Sequence, residues 1–430
     1  MFDYNSVSDA CLKCGKCVPV CTIHQSNPDE TTSPRGFLHL LGAYQKGVLE
    51  LDKNAKNIFE SCFLCTNCVS VCPNTLPVDM LIEQVRFDIG KKYGIAWYKK
   101  VAFFLLRNRK IMDIVAKFGY VFQNCGFKVD KEKNSMKLRG FPLIKFDRLL
   151  PSLAKKSFLN SHKDVIKHGN KGAVGIFIGC LGNYMYTDIG KSLLEILKAL
   201  EIDAHLIKQQ KCCGAPSYFT GDFKSVEVLA KFNIEYIESL SYLDAIIIPE
   251  ATCSAMIKKD YIHFFHDNPK WQERAKKISP KIYLATEYLE KKTDLKKILS
   301  SFGKTKRILT YHDACHAKKV QGIFKEPRAL LEQNYTINEM RDSDLCCGFG
   351  GVTIQSEKYH LSKIAGEKKV KIIDESKAEV VSAECSACQM QIANSLHLAN
   401  SKVEFKNPIV LIADILRDEK TKNKDGDGVL

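Results

Sequence analysis

The sequence predicts an α/β protein with an all-helical N-terminal region, and three observations predict it. Two four-cysteine motifs, Cys11–Cys21 and Cys62–Cys72, crowd the start of the chain. Residues 170–418 run through one pattern of strands, helices and cysteines twice. The 430 residues, 45% of them hydrophobic, are enough for several cores. The expected organisation is a helical region over 1–95, a helical connector over 96–168, two tandem modules over 169–300 and 301–418, and a polar tail over 419–430. Each module is expected to hold a small, mostly parallel sheet flanked by helices.

Composition narrows the function classes. The N-terminus MFDYNSVSDACLKC has neither a basic start nor an apolar core, so it does not read as a signal peptide. With 18 cysteines and no export signal, metal ligation in a reducing compartment fits better than a disulfide scaffold. The expected address is cytoplasmic, or peripheral on the inner face of the cytoplasmic membrane. The net charge of +15 comes mostly from scattered lysines. No basic run is interleaved with stacking aromatics, so no nucleic-acid partner is expected.

In the N-terminal region Cys11-x2-Cys14-x2-Cys17-x3-Cys21 recurs 51 residues later as Cys62-x2-Cys65-x2-Cys68-x3-Cys72-Pro73. Zinc sites pair cysteines two and two across a gap, without this triplet. The spacing is that of bacterial two-cluster ferredoxins, in which three close thiolates wrap one [4Fe–4S] cube and the fourth reaches the other. That resemblance implies one cluster on Cys11, Cys14, Cys17 and Cys72, and a second on Cys62, Cys65, Cys68 and Cys21. Thr22 stands where the second motif has Pro73. Between the motifs, apolar spacing at Phe37, Leu40, Leu41, Tyr44 and Leu49 predicts helices. With Ser33-Pro34-Arg35-Gly36 opening the stretch, it resembles the helical ferredoxin-like modules of flavin-linked dehydrogenases.

The connector opens with Trp97–Gly126, where apolar and basic groups alternate as in one or two amphipathic helices. Its apolar face is expected to pack on a neighbouring domain, with docking to a membrane surface or a partner as the alternative. Cys125 lies outside any ligand spacing and reads as a buried structural thiol. Residues 127–168 read as a linker or loosely packed helices.

The two modules align by their cysteines. Strand GAVGIFIG leads to Cys180, AHLIK to Cys212-Cys213-Gly214, and AIIIPEAT to Cys253. In the second copy RILTYHDA leads to Cys315, then Cys346-Cys347-Gly348 follows, and AEVVSAE leads to Cys385 and Cys388. The offsets are 315 − 180 = 135, 346 − 212 = 134 and 385 − 253 = 132, as tandem duplication predicts. Cys180, Cys253, Cys315 and Cys385 stand just past strand ends, where open α/β sheets place ligands. Cys253 and Cys385 are expected to open helices, whose positive ends favour thiolate. Neighbouring cysteines make poor disulfide partners, so the sets suit metal–sulfur ligation. The glycines let backbone approach a cluster and aim N–H groups at sulfur.

These modules resemble the CCG, or cysteine-rich, domains of heterodisulfide reductase and of the iron–sulfur subunits of glycolate oxidase and anaerobic glycerol-3-phosphate dehydrogenase. His312-Asp313-Ala314-Cys315-His316 and Cys346-Cys347-Gly348-Phe349-Gly350-Gly351 carry the likeness, with Ala314 in place of a usual proline. The resemblance implies a further iron–sulfur cluster on Cys315, Cys346, Cys347, Cys385 and Cys388. The first module has Met256 in the fifth ligand's place, leaving Cys180, Cys212, Cys213 and Cys253 for an ordinary four-thiolate cluster; zinc or no metal is the alternative for either set. His312 and His316 are candidates for proton donation, or for bonding a carbonyl and tuning a ligand.

No GxGxxG occurs in a strand–turn–helix setting. The resemblance therefore implies an electron-transfer subunit of a flavin-dependent 2-hydroxyacid (glycolate or lactate) dehydrogenase. Its expected partners are a flavoprotein dehydrogenase subunit and a membrane quinone or other carrier. The alternative is a disulfide reductase with the 315–388 cluster as its active site.

Overall fold

The computed structural model describes residues 3–139 and 148–426, with side chains to Glu419. The N-terminal region is all helical. Ser33 caps the helix Pro34–Gln45 by accepting from Gly36 N at 3.0 Å, and Pro34 fills its first turn. Gly36 is obligatory, because a Cβ there would lie 1.9 Å from the Glu30 carbonyl. Phe37 and Leu41 of this helix, Phe59 of Lys53–Phe59, and Leu81, Ile82 and Val85 of Val78–Tyr93 form its core. Tyr4 reaches back to Asp88 at 2.8 Å and closes the N-terminus onto that core.

The connector departs from expectation in three ways. Trp97–Arg107 and Arg109–Gly126 are two helices, as the pattern allowed, but most of their large apolar side chains face solvent rather than a neighbouring domain. What they turn inward is mixed: Phe103 is buried and Leu106 packs on the first module, while Lys99 binds Glu357, Asp113 accepts from Tyr184, and Gln123 pairs with Leu153. Cys125 lies on the outward side and is exposed, not buried. The stretch after it is a three-stranded antiparallel sheet rather than loose helix: β1 (Phe127–Asp130), β2 (Ser135–Leu138) and β3 (Leu149–Pro151), in that order.

The first module has a five-stranded sheet of β4 (Val165–Ile166), β5 (Ala173–Ile176), β6 (Asp203–Leu206), β7 (Ile246–Ile248) and β8 (Ile282–Leu284), in the order β4-β6-β5-β7-β8. The second has β9 (Ile308–Tyr311), β10 (Thr336–Ile337), β11 (Val380–Ser382) and β12 (Glu404–Lys406), in the order β10-β9-β11-β12. Without β4, an antiparallel edge, the two orders are the same and every pair is parallel. This is what a duplicated unit must show. The central strands are short and mostly apolar, as in Ile246–Ile248, and are buried on both faces, while edge strands such as Glu404–Lys406 carry charged residues.

The modules share one core. Leu193, Ile196 and Leu197 of helix Thr187–Ala199 sit in it with Leu330, Ile412 and Leu416 of the second module. Two buried carboxylates cross the interface in opposite senses. Glu250 of the first module accepts from Ser386 N, and Glu384 of the second accepts from Thr286 N at 3.1 Å. The last helix, Pro408–Gly426, runs on into the stretch expected to be a polar tail; residues 427–430 lie outside the described residues. Among the described residues no helix is long and apolar enough to cross a membrane.

Candidate metal centre

The N-terminal cysteines surround two cavities. One is lined by Cys11, Cys14, Cys17 and Cys72. The other is lined by Cys21, Cys62, Cys65 and Cys68. Each triplet thus closes on the fourth cysteine of the opposite motif, and Cys68 borders both cavities. The second cavity is the deeper: burial pushes the Cys62 thiol up to about 11 and Cys21 up to about 12. Thiols so placed stay protonated unless a cation takes the proton's place. Thr22, in the position where proline was absent, puts its hydroxyl 3.5 Å from the Cys65 sulfur.

Arg86 joins this region to the first module. Fully buried, it donates to the carbonyls of Cys62 (2.7 Å), Phe59 (3.1 Å) and Phe219 (2.7 Å). Lys319 joins it to the second, donating to the Asp344 carbonyl at 2.8 Å and to Asn67 Oδ1.

In the first module the thiols of Cys180, Cys212, Cys213 and Cys253 touch in sequence. Gly179, at φ +72°, opens the helix Gly179–Tyr184 that carries Cys180, and a Cβ on it would lie 3.1 Å from the Cys253 sulfur. The helix bearing Cys253 opens earlier than expected, at Ala251 with Glu250 as its cap, so this thiol is the third residue of its first turn. Met256, in the fifth position, is fully buried and begins a π-helical turn, Met256–Asp260. A small cavity beside Cys180 and Cys212 is roofed by Leu105, Leu106, Arg109 and Met112 of the connector.

In the second module Cys346, Cys347, Cys388 and Cys385 touch in sequence, all buried. Cys385 is the N-cap of helix Ser386–Leu398, and its sulfur accepts from Cys388 N at 3.4 Å. Cys315 opens the helix Cys315–Gln321, and burial pushes its thiol up to about 11. In both modules the glycine after the double cysteine aims its N–H at sulfur: Gly214 N to Cys212 at 3.5 Å and Gly348 N to Cys346 at 3.4 Å.

The two histidines differ. His312 is buried and donates from Nδ1 to the Ser343 carbonyl at 3.1 Å, leaving Nε2 with no protein partner. One of its ring nitrogens forms, with the sulfurs of Cys347 and Cys388, a set within 4.8 Å of one another. Burial, then Lys369, hold His312 well below the usual imidazole range, so the ring is neutral. His316 lies with Nδ1 3.4 Å from the Cys315 sulfur and its ring 5.3 Å from Phe219; burial lowers it too. Neutral rings hold no spare proton at neutral pH, which disfavours proton donation and leaves carbonyl bonding and ligand tuning.

One functional residue escaped the sequence reading. Lys369 is fully buried, donates to the Ser343 carbonyl at 3.0 Å, and faces the thiols of Cys347, Cys346 and Cys388. Burial brings it down to about 8. Its signal was present: Ser362, Ala365, Lys369 and Ile373 share the buried side of helix Tyr359–Glu375.

All four sets offer converging sulfurs, and in three of them a backbone N–H is turned to a thiol: Leu64 N to Cys62, Gly214 N to Cys212 and Gly348 N to Cys346. That is the chemistry of an iron–sulfur site, and the residues fit the group.

Comparison with known proteins agrees. The family "4Fe-4S dicluster domain" matches residues 7–76, and "Cysteine-rich domain", CCG, matches twice, at 174–258 and 309–393. The chain is 29% identical over 434 residues to the "Probable glycolate oxidase iron-sulfur subunit" of Bacillus subtilis, covering 94% of this chain and 92% of that one. It is 30% identical over 246 residues to "Lactate utilization protein A" of Bacillus cytotoxicus, covering 56% of this chain and 98% of the relative. With the same protein of Halalkalibacterium halodurans it shares 29% over 255 residues, 59% of this chain and 99% of the relative. The chain is an iron–sulfur protein, and it belongs to the CCG-domain family of the glycolate oxidase iron–sulfur subunit and lactate utilization protein A.

Proposed function

We propose that this chain is the electron-transfer subunit of a 2-hydroxyacid dehydrogenase complex, with glycolate or lactate oxidised on a separate flavoprotein. One observation carries the reading: the thiol sets adjoin one another. Cys68 borders both N-terminal cavities, Cys65 touches Cys346, and the Thr252 hydroxyl beside Cys253 lies 3.6 Å from the Cys385 sulfur. Bound at these sets, iron–sulfur clusters would supply one-electron carriers. Two clusters belong to the N-terminal eight cysteines, one to the second module, and a fourth to the four thiols of the first.

The chain's own residues do the rest. Cysteines hold and space the sets. Gly214 and Gly348 direct N–H groups at sulfur, while Arg86 and Lys319 bring positive charge and lock the N-terminal region to the modules. Oxidation of a 2-hydroxyacid to its 2-oxoacid releases two electrons and two protons; a flavin takes the pair and passes electrons on singly to this chain, and from there to a quinone or other carrier. The disulfide-reductase reading fits less well. Cys346, Cys347, Cys385 and Cys388 are buried, which suits electron transfer through protein better than attack on a bulky disulfide.

The test is reconstitution under anaerobic conditions. Mixed with its flavoprotein and glycolate or lactate, the chain should show bleaching of cluster absorbance; alone with either acid it should show none. Bleaching by a hydroxyacid without flavoprotein would sink the proposal, and a response only to thiols or disulfides would favour the reductase.

A further inference from the structure

The connector hairpin is built inside out. Trp97, Val101 and Phe104 on its first helix and Ile114, Phe118 and Phe122 on its second are exposed, from 44% for Phe104 to 76% for Trp97. Their spacing by three and four residues puts each set on one helix face. On the inward side Phe103 is buried and Leu106 packs against the first module's core, and polar contacts tie down the rest. Lys99 is buried between Thr353 (3.0 Å) and Glu357 (2.6 Å), Arg109 donates to the Lys208 carbonyl, and Asp113 accepts from Tyr184 at 2.7 Å. Helices anchored by their inner faces yet aromatic and aliphatic on their outer ones present apolar surface that no other described residue covers.

Charge says what that is. From Trp97 to Lys128 the sequence has seven lysines and arginines against one acidic residue, Asp113, which is spent inside. Lys100, Lys110 and Lys117 stand exposed among the apolar side chains. We propose that the outer face of the hairpin Trp97–Gly126 is a docking surface for an anionic lipid bilayer, lying in the interface rather than crossing it. Tryptophan and phenylalanine at the acyl boundary with lysines toward the headgroups is the composition of interfacial helices. A protein partner fits less well, since protein interfaces are depleted in lysine at their centres.

The surface also has a position in the wire. Leu105, Leu106, Arg109 and Met112 of the hairpin roof the cavity beside Cys180 and Cys212. Docking through the outer face therefore holds the first module's thiol set next to the bilayer, where a lipid-soluble acceptor resides. This last step rests on the electron-transfer reading; the docking itself does not.

The test uses the full chain with its clusters, purified anaerobically and floated with vesicles. Binding is expected to vesicles of phosphatidylcholine mixed with phosphatidylglycerol, to be much weaker on phosphatidylcholine alone, and to fall at high salt. The double variant Phe118→Glu and Phe122→Glu should lose at least tenfold in binding, as should Lys110→Glu with Lys117→Glu on the anionic vesicles. Both pairs are surface changes, so visible cluster absorbance and melting temperature should hold. A wild-type chain that stays out of the floated fraction overturns the proposal, as does a phenylalanine variant that floats unchanged. If that variant instead loses a copurifying flavoprotein while vesicle binding is intact, the face docks protein and the proposal is wrong. Substrate-driven bleaching, measured on the same variants in detergent-free solution, reports separately on the electron-transfer reading: its failure with vesicle binding retained would sink that reading and leave the docking surface standing.

Discussion

The Cys65 thiol of the N-terminal region lies against the Cys346 thiol of the second module. That contact, followed by burial, pushes Cys65 well above an ordinary thiol. The two residues are 281 positions apart (346 − 65), so no local preference brings them together. Lys319, held by Asn67 on one side and Asp344 on the other, fixes the approach.

This contact predicts magnetic coupling. Clusters held through adjacent sulfurs relax each other's spins. Cys346→Ser should sharpen the signal of the cluster held by Cys21, Cys62, Cys65 and Cys68 in the EPR spectrum of the reduced protein. Cys14→Ser should remove the other N-terminal signal and leave that coupling in place. Identical relaxation of the Cys65 cluster in wild type and Cys346→Ser would refute the path.

Arg86 should be the strongest single clamp between the N-terminal region and the first module. Arg86→Ala leaves the buried carbonyls of Cys62 and Phe219 without the donor it supplies, and that of Phe59 with only the long bond from Cys62 N. The expected loss is about 3 kcal/mol, read as a lower denaturant midpoint of the holoprotein by circular dichroism. Lys128→Ala, on the exposed surface, should stay within about 0.5 kcal/mol. Equal midpoints for the two variants would show that the clamp carries no stability.

How much of this was legible depends on the range of the interaction that made it. The cysteine spacings and the duplication could be read because ligand sets and strand ends repeat at fixed local intervals: Cys180 and Cys315 each follow the first strand of their module. The strands came out shorter than their apolar runs, since the last residues of GAVGIFIG leave β5 to open the cysteine helix. The hairpin was misjudged because periodicity reports that a face is apolar, not which way it turns; the direction came from Lys99 and Asp113 finding partners far along the chain. Cys125 followed the same error. The β1–β3 sheet went unread because its strands are only three or four residues long, too short for an alternation such as that of Phe127–Asp130 to stand out, and pairing decided the matter. Nothing local could have announced the Cys65–Cys346 contact.

A buried acid makes stability fall as pH rises. Asp260, in the turn after Met256, is pushed up to about 7 by burial, opposed by His316 and reinforced by Asp79. Glu83, bonded to Tyr218, is raised with it, again mainly by burial. Between the ordinary carboxylate range, near pH 4, and about pH 7 the folded chain holds protons that the unfolded chain has lost. Stability from this group is therefore full below the unfolded pKa and declines as pH rises toward the folded one. Asp260→Asn should flatten that decline. The melting temperature of the anaerobic holoprotein, compared at about pH 5 and about pH 7, should fall less in the variant. An equal or steeper fall would show that Asp260 titrates as an ordinary carboxylate.

The two modules should differ in redox potential, and their surroundings say in which sense. At the end of β5 the first module has Phe177; at the end of β9 the second has His312. Met256 fills the place that Cys388 takes in the second module, and Lys369 faces only the second set of thiols. A reduced cluster carries one more negative charge, so a buried ammonium beside it favours reduction. At an effective dielectric near 20, a unit charge roughly 5–8 Å away is worth about 2–3 kcal/mol, or about 100 mV for one electron. Lys369→Met, which keeps the length and apolar stem of the side chain, should lower the midpoint potential of the second module's cluster by up to about that much. The other cluster potentials should stay near their wild-type values. Cluster content, checked by iron analysis, separates a tuned potential from a lost cluster. Redox titration followed by EPR reads the result, and a second-module potential unmoved by the loss of Lys369 would mean that its charge is neutralised by its carbonyl partners.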